Sequence, residues 1–265
     1  MTVAVGLVCS DGVLVASDSM ATGEGVAAHS IKVRQFGRSP IIWTAAGSVF
    51  VMEEVTTVLE KEDLAGTPEA PKAAYTKPDL PAIRNSLHTP INTAMRKAYA
   101  KELYGPPSTD GQLRIMFRTD FLMLGHANDT SWFLEFAGDG QVNWHTDARF
   151  YAVGSGGPYA TVAHALMSHY IGDGVTLEQG KLIAYRAIQT TIEVSPSGVG
   201  LPVQMAICDN SGARILEKPE LDQIGFAVDG WKVLERETLT QSVAEKVLDA
   251  AQDLPVMDEE APVQS

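Results

Sequence analysis

Three residues near the start of the chain, Thr2, Asp18 and Lys32, are of types that nucleophilic catalysis uses. Thr2 follows Met1, and its small side chain permits removal of that methionine. Removal would leave a hydroxyl and a free α-amine on one residue. A threonine hydroxyl is a weak nucleophile until a base takes its proton. An α-amine has an unperturbed pKa of roughly 7.7–8.0, so part of it is neutral near pH 7. It can serve as the base directly or through one water. A nearby Lys32 ammonium favours the deprotonated form of both groups, while Asp18 pairs with Lys32, holds it and keeps it charged. Backbone N–H groups around Thr44–Gly47 would face the oxyanion. Taken singly each residue has a plainer reading: Asp18 as a turn residue, Lys32 as a solvated edge-strand charge. The conjunction carries the weight.

The elements that must bring these residues together are two hairpins. Val3–Val8 and Val13–Asp18 are β-rich runs around Cys9–Gly12, and Asp-Gly between apolar runs is a strong hairpin signal. Ile31–Phe36 and Ile41–Ala46 repeat the pattern around Gly37–Pro40. With Val8 facing Val13, paired positions sum to about 21, which sets residue 2 opposite residue 19. With Phe36 facing Ile41 they sum to about 77, which sets Lys32 opposite Ala45. Placed side by side in one sheet, the hairpins gather Thr2, Asp18, Lys32 and the Thr44–Gly47 backbone at one sheet end.

Further along, Val49–Lys61 and Pro81–Leu103 carry apolar residues at helical spacing, with Ile83, Leu87, Ile91 and Met95 on one stripe. Glu62–Leu80 is rich in Pro, Ala, Thr and Lys and reads as surface insertion. Leu113–His126, Ser131–Phe136 and Val142–Ala152 are strand-like. The glycines before Pro158 open a helix that runs through about Ile171, and Thr176–Glu193 is a second helix with Thr176 as N-cap. Pro202–Cys208 and Ala213–Leu216 form another hairpin. Ser242–Gln252 reads as a last amphipathic helix, and Asp253–Ser265 as an acidic, flexible tail. Hairpin-joined strands alternating with helices in pairs predict an α+β fold of stacked, mostly antiparallel sheets under helical layers. The expected division is a domain over 1–232, with a helical insertion near 62–112, and an appendage over 233–265.

Composition narrows the function classes. A chain of 265 residues, at about 150 residues per domain, is one large domain or two small ones. With 20 Lys+Arg against 33 Asp+Glu the formal net charge is −13. That argues against nucleic acid as a partner, because the sequence-independent attraction to phosphate is missing. Two cysteines, Cys9 and Cys208, are too few for a disulfide framework or a Cys-based zinc site, and they fit a reducing cytoplasm. Six scattered histidines show no metal-ligand spacing, so no metal and no cofactor is expected. The N-terminus lacks a basic leader, and no apolar run reaches the ~20 residues needed to span a bilayer. A cytoplasmic location with no membrane partner is the expectation.

The same residues resemble the proteasome β-subunit family of N-terminal-nucleophile hydrolases, including the bacterial HslV-type peptidases and related bacterial homologues. The resemblance is carried by Thr2–Val8, Val13–Ser19, Lys32–Phe36 and Tyr151–Tyr159, the last containing Gly-Ser-Gly-Gly-Pro before a helix. It implies a four-layer αββα sandwich with Thr2 as nucleophile and, through its amine, as base. Asp18 and Lys32 would take the roles given above. Ser155 matches the serine that hydrogen-bonds near the amine. The oxyanion glycine aligns with Thr44 or with Gly47, depending on how the strand ends are matched. Ala21, Ser30 and Ala46 flank the site as small pocket residues. Many β-subunits carry an aspartate and a serine in the loop that here reads Glu193–Gly200; Ser195 stands at the aspartate's place, and Ser197 or Gly198 near the serine's. The first functional expectation is a threonine-type endopeptidase acting on peptides or unfolded protein. It would assemble as a ring or stacked homo-oligomer, with an ATP-dependent unfoldase as a compatible partner. The alternatives are a small-amide amidohydrolase of the same chemistry and a catalytically silent scaffold subunit, which the altered 193–200 loop motivates.

Overall fold

A computed structural model of the chain describes residues 2–23, 26–61, 75, 79–102, 118–145, 148–168, 174–195 and 198–240. The expected helix at Ser242–Gln252, the tail and most of the insertion lie outside them. The first hairpin forms as read: β1 (Ala4–Val8) and β2 (Val13–Ser17) pair with Val8 opposite Val13 and Ala4 opposite Ser17. A small hairpin that the sequence reading passed over follows, β3 (Met20–Gly23) with β4 (Val26–His29). Then come β5 (Val33–Gln35) and β6 (Ile41–Ala46), with Val33 opposite Thr44 as the register arithmetic requires.

Two helices follow, α1 (Val49–Lys61) and α2 (Leu80–Glu102). Next are β7 (Asp120–Ala127), β8 (Thr130–Phe136), β9 (Val142–Trp144) and β10 (Phe150–Val153). A second helix pair is α3 (Gly157–Ser168) and α4 (Leu177–Val194). Thr176 caps α4, in a reciprocal capping box with Gln179. The hairpin β11 (Gln204–Asp209) and β12 (Gly212–Ile215) leads into α5 (Lys218–Thr240). That last helix was not expected. Its start carries Pro at the second position and a Lys218–Asp222 pair four residues apart, but it has no sharp apolar stripe to announce it.

The chain divides into two compact units, Met1–Gly225 and Phe226–Ser265. Within the first, ten of the described strands form two five-stranded antiparallel sheets, ordered β10-β1-β2-β11-β12 and β5-β6-β7-β8-β9, and β3 and β4 pair with each other. Alternation along β6 and β7 explains the layering. Ile42, Ala46, Leu122 and Leu124, with Phe133 of β8, face the first sheet and pack against its Ala4, Val13 and Val15. Trp43, Ala45, Phe121 and Met123 face the other way, onto the apolar stripes of α1 and α2. Helices α3 and α4 cover the first sheet along β10, β1 and β2. The result is the expected α+β, four-layer αββα sandwich.

Two strand expectations need correction. The two N-terminal hairpins are not neighbours in one sheet; β1–β2 and β5–β6 belong to opposite sheets. The single run Val142–Ala152 is two strands, β9 in the second sheet and β10 in the first. At that crossing the Glu135 carboxylate, side chain 8% exposed, accepts hydrogen bonds from Asn143 Nδ2 (3.1 Å) and His145 Nε2 (3.3 Å). His145 in turn lies against Tyr151 of β10, ring centroids 4.1 Å apart. The hydrogen bond from His145 is the largest influence holding Glu135 below the ordinary carboxyl value of 4.5. A carboxylate so depressed stabilises the fold fully above its unfolded value and loses that contribution as pH falls through its folded one. Glu135→Gln is expected to flatten the fall of urea midpoints on acidification below pH 4.5, with a wild-type slope in the variant counting against this clasp.

Candidate active site

The site is built from a buried carboxylate outward. β2 ends at Ser17, and Asp18 leaves the sheet with no exposed surface. Such a group is tolerated only when hydrogen bonds replace its water. Asp18 Oδ1 accepts from the Val3 N–H (3.1 Å) and Lys32 Nζ (2.8 Å). Its Oδ2 accepts from the N–H groups of Met20 (3.0 Å) and Gly200 (3.2 Å). Both oxygens are thus doubly occupied, by four separate parts of the chain.

Lys32 is 2% exposed and spends all three N–H bonds: on Asp18, on the Met20 carbonyl (2.6 Å) and on Thr2 Oγ1 (3.2 Å). Burial pushes its pKa below the ordinary 10.5, while the Asp18 charge and hydrogen bond oppose that fall. The outcome is a desolvated cation aimed at the threonine hydroxyl. It favours the deprotonated oxygen there.

Thr2 is itself nearly buried, and the main chain around it is pinned. Its N–H points at Ser155 Oγ at 3.4 Å, and its carbonyl accepts from the Gly156 N–H at 3.0 Å. The next carbonyl, of Val3, accepts from Ser17 Oγ (2.9 Å) and from the Asp18 N–H (3.2 Å). Gly154 has φ +87°, and a Cβ there would stand 2.3 Å from the Thr2 carbonyl and 2.9 Å from Ala46 Cβ. Only glycine fits that approach. The glycine-rich segment therefore closes over Thr2, with Ala46 packed beside Gly154.

The other predicted positions are placed as follows. Ala21 lies on β3, next to Met20 and opposite Ala28. Ser30 donates its N–H to the Ser19 carbonyl (2.8 Å), and Ser19 donates to Gly200 (3.0 Å). Thr44 is enclosed in the ladder between Val33 and Leu122, without exposure. Gly47 stands one residue past the end of β6, exposed and at φ +137°; a Cβ there would meet the Arg118 carbonyl at 2.4 Å. Ser195 is the C-cap of α4, its N–H bonded to the Thr191 carbonyl. Ser197 lies outside the described residues. Since the hairpins sit in opposite sheets, Thr2 and Asp18 come from the end of one sheet and Lys32 and Gly47 from the end of the other.

Three contributors escaped the sequence reading. Met20 and Gly200 act through main-chain atoms, which carry no residue-type signature. Gln204 reaches the Lys32 segment through its side chain from the start of β11. It looked in the sequence like any polar residue opening a strand.

No protein-family model matches the chain, and no curated protein matches it. Solved structures do. Anbu (ancestral beta-subunit) from Yersinia bercovieri is 16% identical, covering 97% of this chain and 100% of that one, with a TM-score of 0.62. Anbu from Hyphomicrobium sp. strain MC1 is 16% identical over 90% of this chain and 97% of that one, TM-score 0.64. A Gly-1 mutant of Anbu from the same strain gives 17%, 91% and 97%, again with 0.64. These neighbours correct the resemblance stated for the sequence: the likeness is to Anbu proteins, and an HslV-type assignment is not supported. At these identities what is shared is the fold, and that fold is proteasome-like.

Proposed function

We propose that the chain is a threonine peptidase whose nucleophile is Thr2, exposed by removal of Met1. The observation that supports it most is the Lys32 ammonium 3.2 Å from Thr2 Oγ1, its charge fixed by Asp18. In this reading Thr2 Oγ attacks the scissile carbonyl and passes its proton to the Thr2 amine, directly or through one water. The tetrahedral oxyanion faces the Gly47 N–H, since the Thr44 main chain is enclosed in the ladder. The amine then protonates the leaving nitrogen, and water hydrolyses the acyl-enzyme. Ser155 positions the amine, and the small side chains of Ala21, Ser30 and Ala46 leave room for a substrate residue.

Peptides or unfolded protein in the cytoplasm are the proposed substrates. A ring or stacked homo-oligomer is the proposed assembly, open to an ATP-dependent unfoldase. Among the described residues no helix is long and apolar enough to cross a membrane.

Intact mass after treatment with a threonine-directed electrophile tests the chemistry. Loss of Met1 and one adduct on Thr2 are expected, with none in Thr2→Ala, together with cleavage of fluorogenic peptides. Equal turnover in both variants would sink the proposal, and cleavage of small amides but no peptides would redirect it to an amidohydrolase.

Two further outcomes follow from the charge pair. Activity needs the Lys32 ammonium, whose pKa lies below 10.5. The alkaline limb of the labelling rate is therefore expected below that value. Asp18→Asn leaves the buried cation unpaired, which costs about 3–5 kcal/mol and moves the limb lower still. Urea unfolding and a pH series of labelling rates read both.

A further inference from the structure

The segment that delivers Lys32 lies outside the sheets. β5 begins at Val33, and among the described residues its one ladder neighbour is β6, which leaves its other edge without a strand. Lys32 comes before the first paired residue, Val33. An edge of this kind offers unpaired N–H and C=O groups; Ser30 is tied by its N–H to the Ser19 carbonyl (2.8 Å), and residues 31 and 32 have no ladder partner among the described residues.

One side chain fills that gap. Gln204 Oε1 accepts from two successive N–H groups, Lys32 at 2.9 Å and Val33 at 3.2 Å. Its Nε2 donates to the Ser30 carbonyl at 2.6 Å. The amide orientation is settled by these partners: turned over, it would set oxygen against oxygen and NH2 against two N–H groups. The carboxamide thus supplies one acceptor and one donor where a neighbouring strand would, holding both sides of the Lys32 Cα. Gln204 opens β11 directly opposite Ser17, the residue before Asp18. One residue of the first sheet thereby sets the distance between the carboxylate and the lysine main chain of the second.

We propose that Gln204 is a positioning residue for the Lys32 ammonium, acting through the main chain of residues 30–33. This rests on the reading of Thr2 as nucleophile and Lys32 as its charge partner. No other standard side chain meets the same demand. Leucine has the size but neither bond. Glutamate keeps an acceptor for both N–H groups, but it faces the Ser30 carbonyl oxygen with a second oxygen and adds a negative charge near the cation.

The test uses the full chain with Gln204→Leu and Gln204→Glu, checked for folding by thermal melts. Two readouts are taken. One is the rate of electrophile adduct formation at Thr2 as a function of pH. The other is the titration of the Lys32 13Cε resonance in 13C-lysine protein, assigned with Lys32→Arg; it needs no activity. Gln204→Leu is expected to slow labelling about 10–100-fold, the scale of an ångström-sized misplacement, and to displace the Lys32 resonance. Gln204→Glu, which keeps the acceptor for both N–H groups, is expected to recover part of the rate that Gln204→Leu loses, a rescue that a merely structural role would not produce, while its added charge raises the Lys32 pKa and the alkaline limb. Wild-type rates and an unmoved Lys32 titration in a folded variant overturn the inference. Where Gln204→Leu does not fold, Gln204→Glu alone decides on the same criteria. Absence of labelling in wild type removes the nucleophile reading, while the lysine titration still decides whether Gln204 sets the ammonium.

Discussion

Everything around the candidate site is arranged to give hydrogen-bond partners to one fully buried carboxylate. The attraction of a buried ion pair often fails to repay the removal of both charges from solvent. Three main-chain N–H groups, from Val3, Met20 and Gly200, make up the difference. With its oxygens occupied, Asp18 can hold Lys32 as a cation in spite of the burial that pulls its pKa down. The same lysine then has one N–H left for Thr2 Oγ1 and one for the Met20 carbonyl. Remove any one contact and a buried donor or acceptor is stranded.

That arrangement explains the sandwich. Neither sheet alone contains the constellation. The first brings Thr2 and Asp18, because a tight turn at Cys9–Gly12 folds β2 back along β1. The second brings Lys32 and Gly47 through the β5–β6 hairpin. The apolar contacts of Ala46, Leu122, Leu124 and Phe133 with Ala4 and Val15 press the two sheets together and so fix the separation of their ends. Close packing of that kind deforms little, which is what a site with hydrogen-bond tolerances needs.

The hairpins and their registers were legible because Asp-Gly turns and alternating apolar runs are local signals, and a register fixes which residues share a strand end. Thr2, Asp18 and Lys32 could be assembled from them, and the structure puts all three within hydrogen-bond reach. What could not be read was which sheet each hairpin joins, since this depends on contacts between distant segments such as Gln204 and Ser17. The break between β9 and β10 was hidden for a similar reason: Val142–Ala152 is uniformly strand-like, and only the partners of its two halves differ. Gly200 and Met20 were invisible because a peptide N–H has no letter in the sequence. The helix α5 was missed because its exposed apolar residues, among them Phe226 and Leu234, do not line up into a sharp stripe.

The amide of Gly200 stands 182 positions downstream of the carboxylate it serves. While the ribosome is still short of that point, the aspartate lacks one of its donors and the lysine beside it has an incompletely screened anion as its anchor. The serine and glycine that fasten Thr2 arrive late as well, more than 150 positions along. A nascent polypeptide therefore carries the Thr2 hydroxyl from the outset, yet acquires its full set of neighbours only once residue 200 has been made. Contacts of such long range close slowly, because the intervening chain must be ordered before the contact repays that cost.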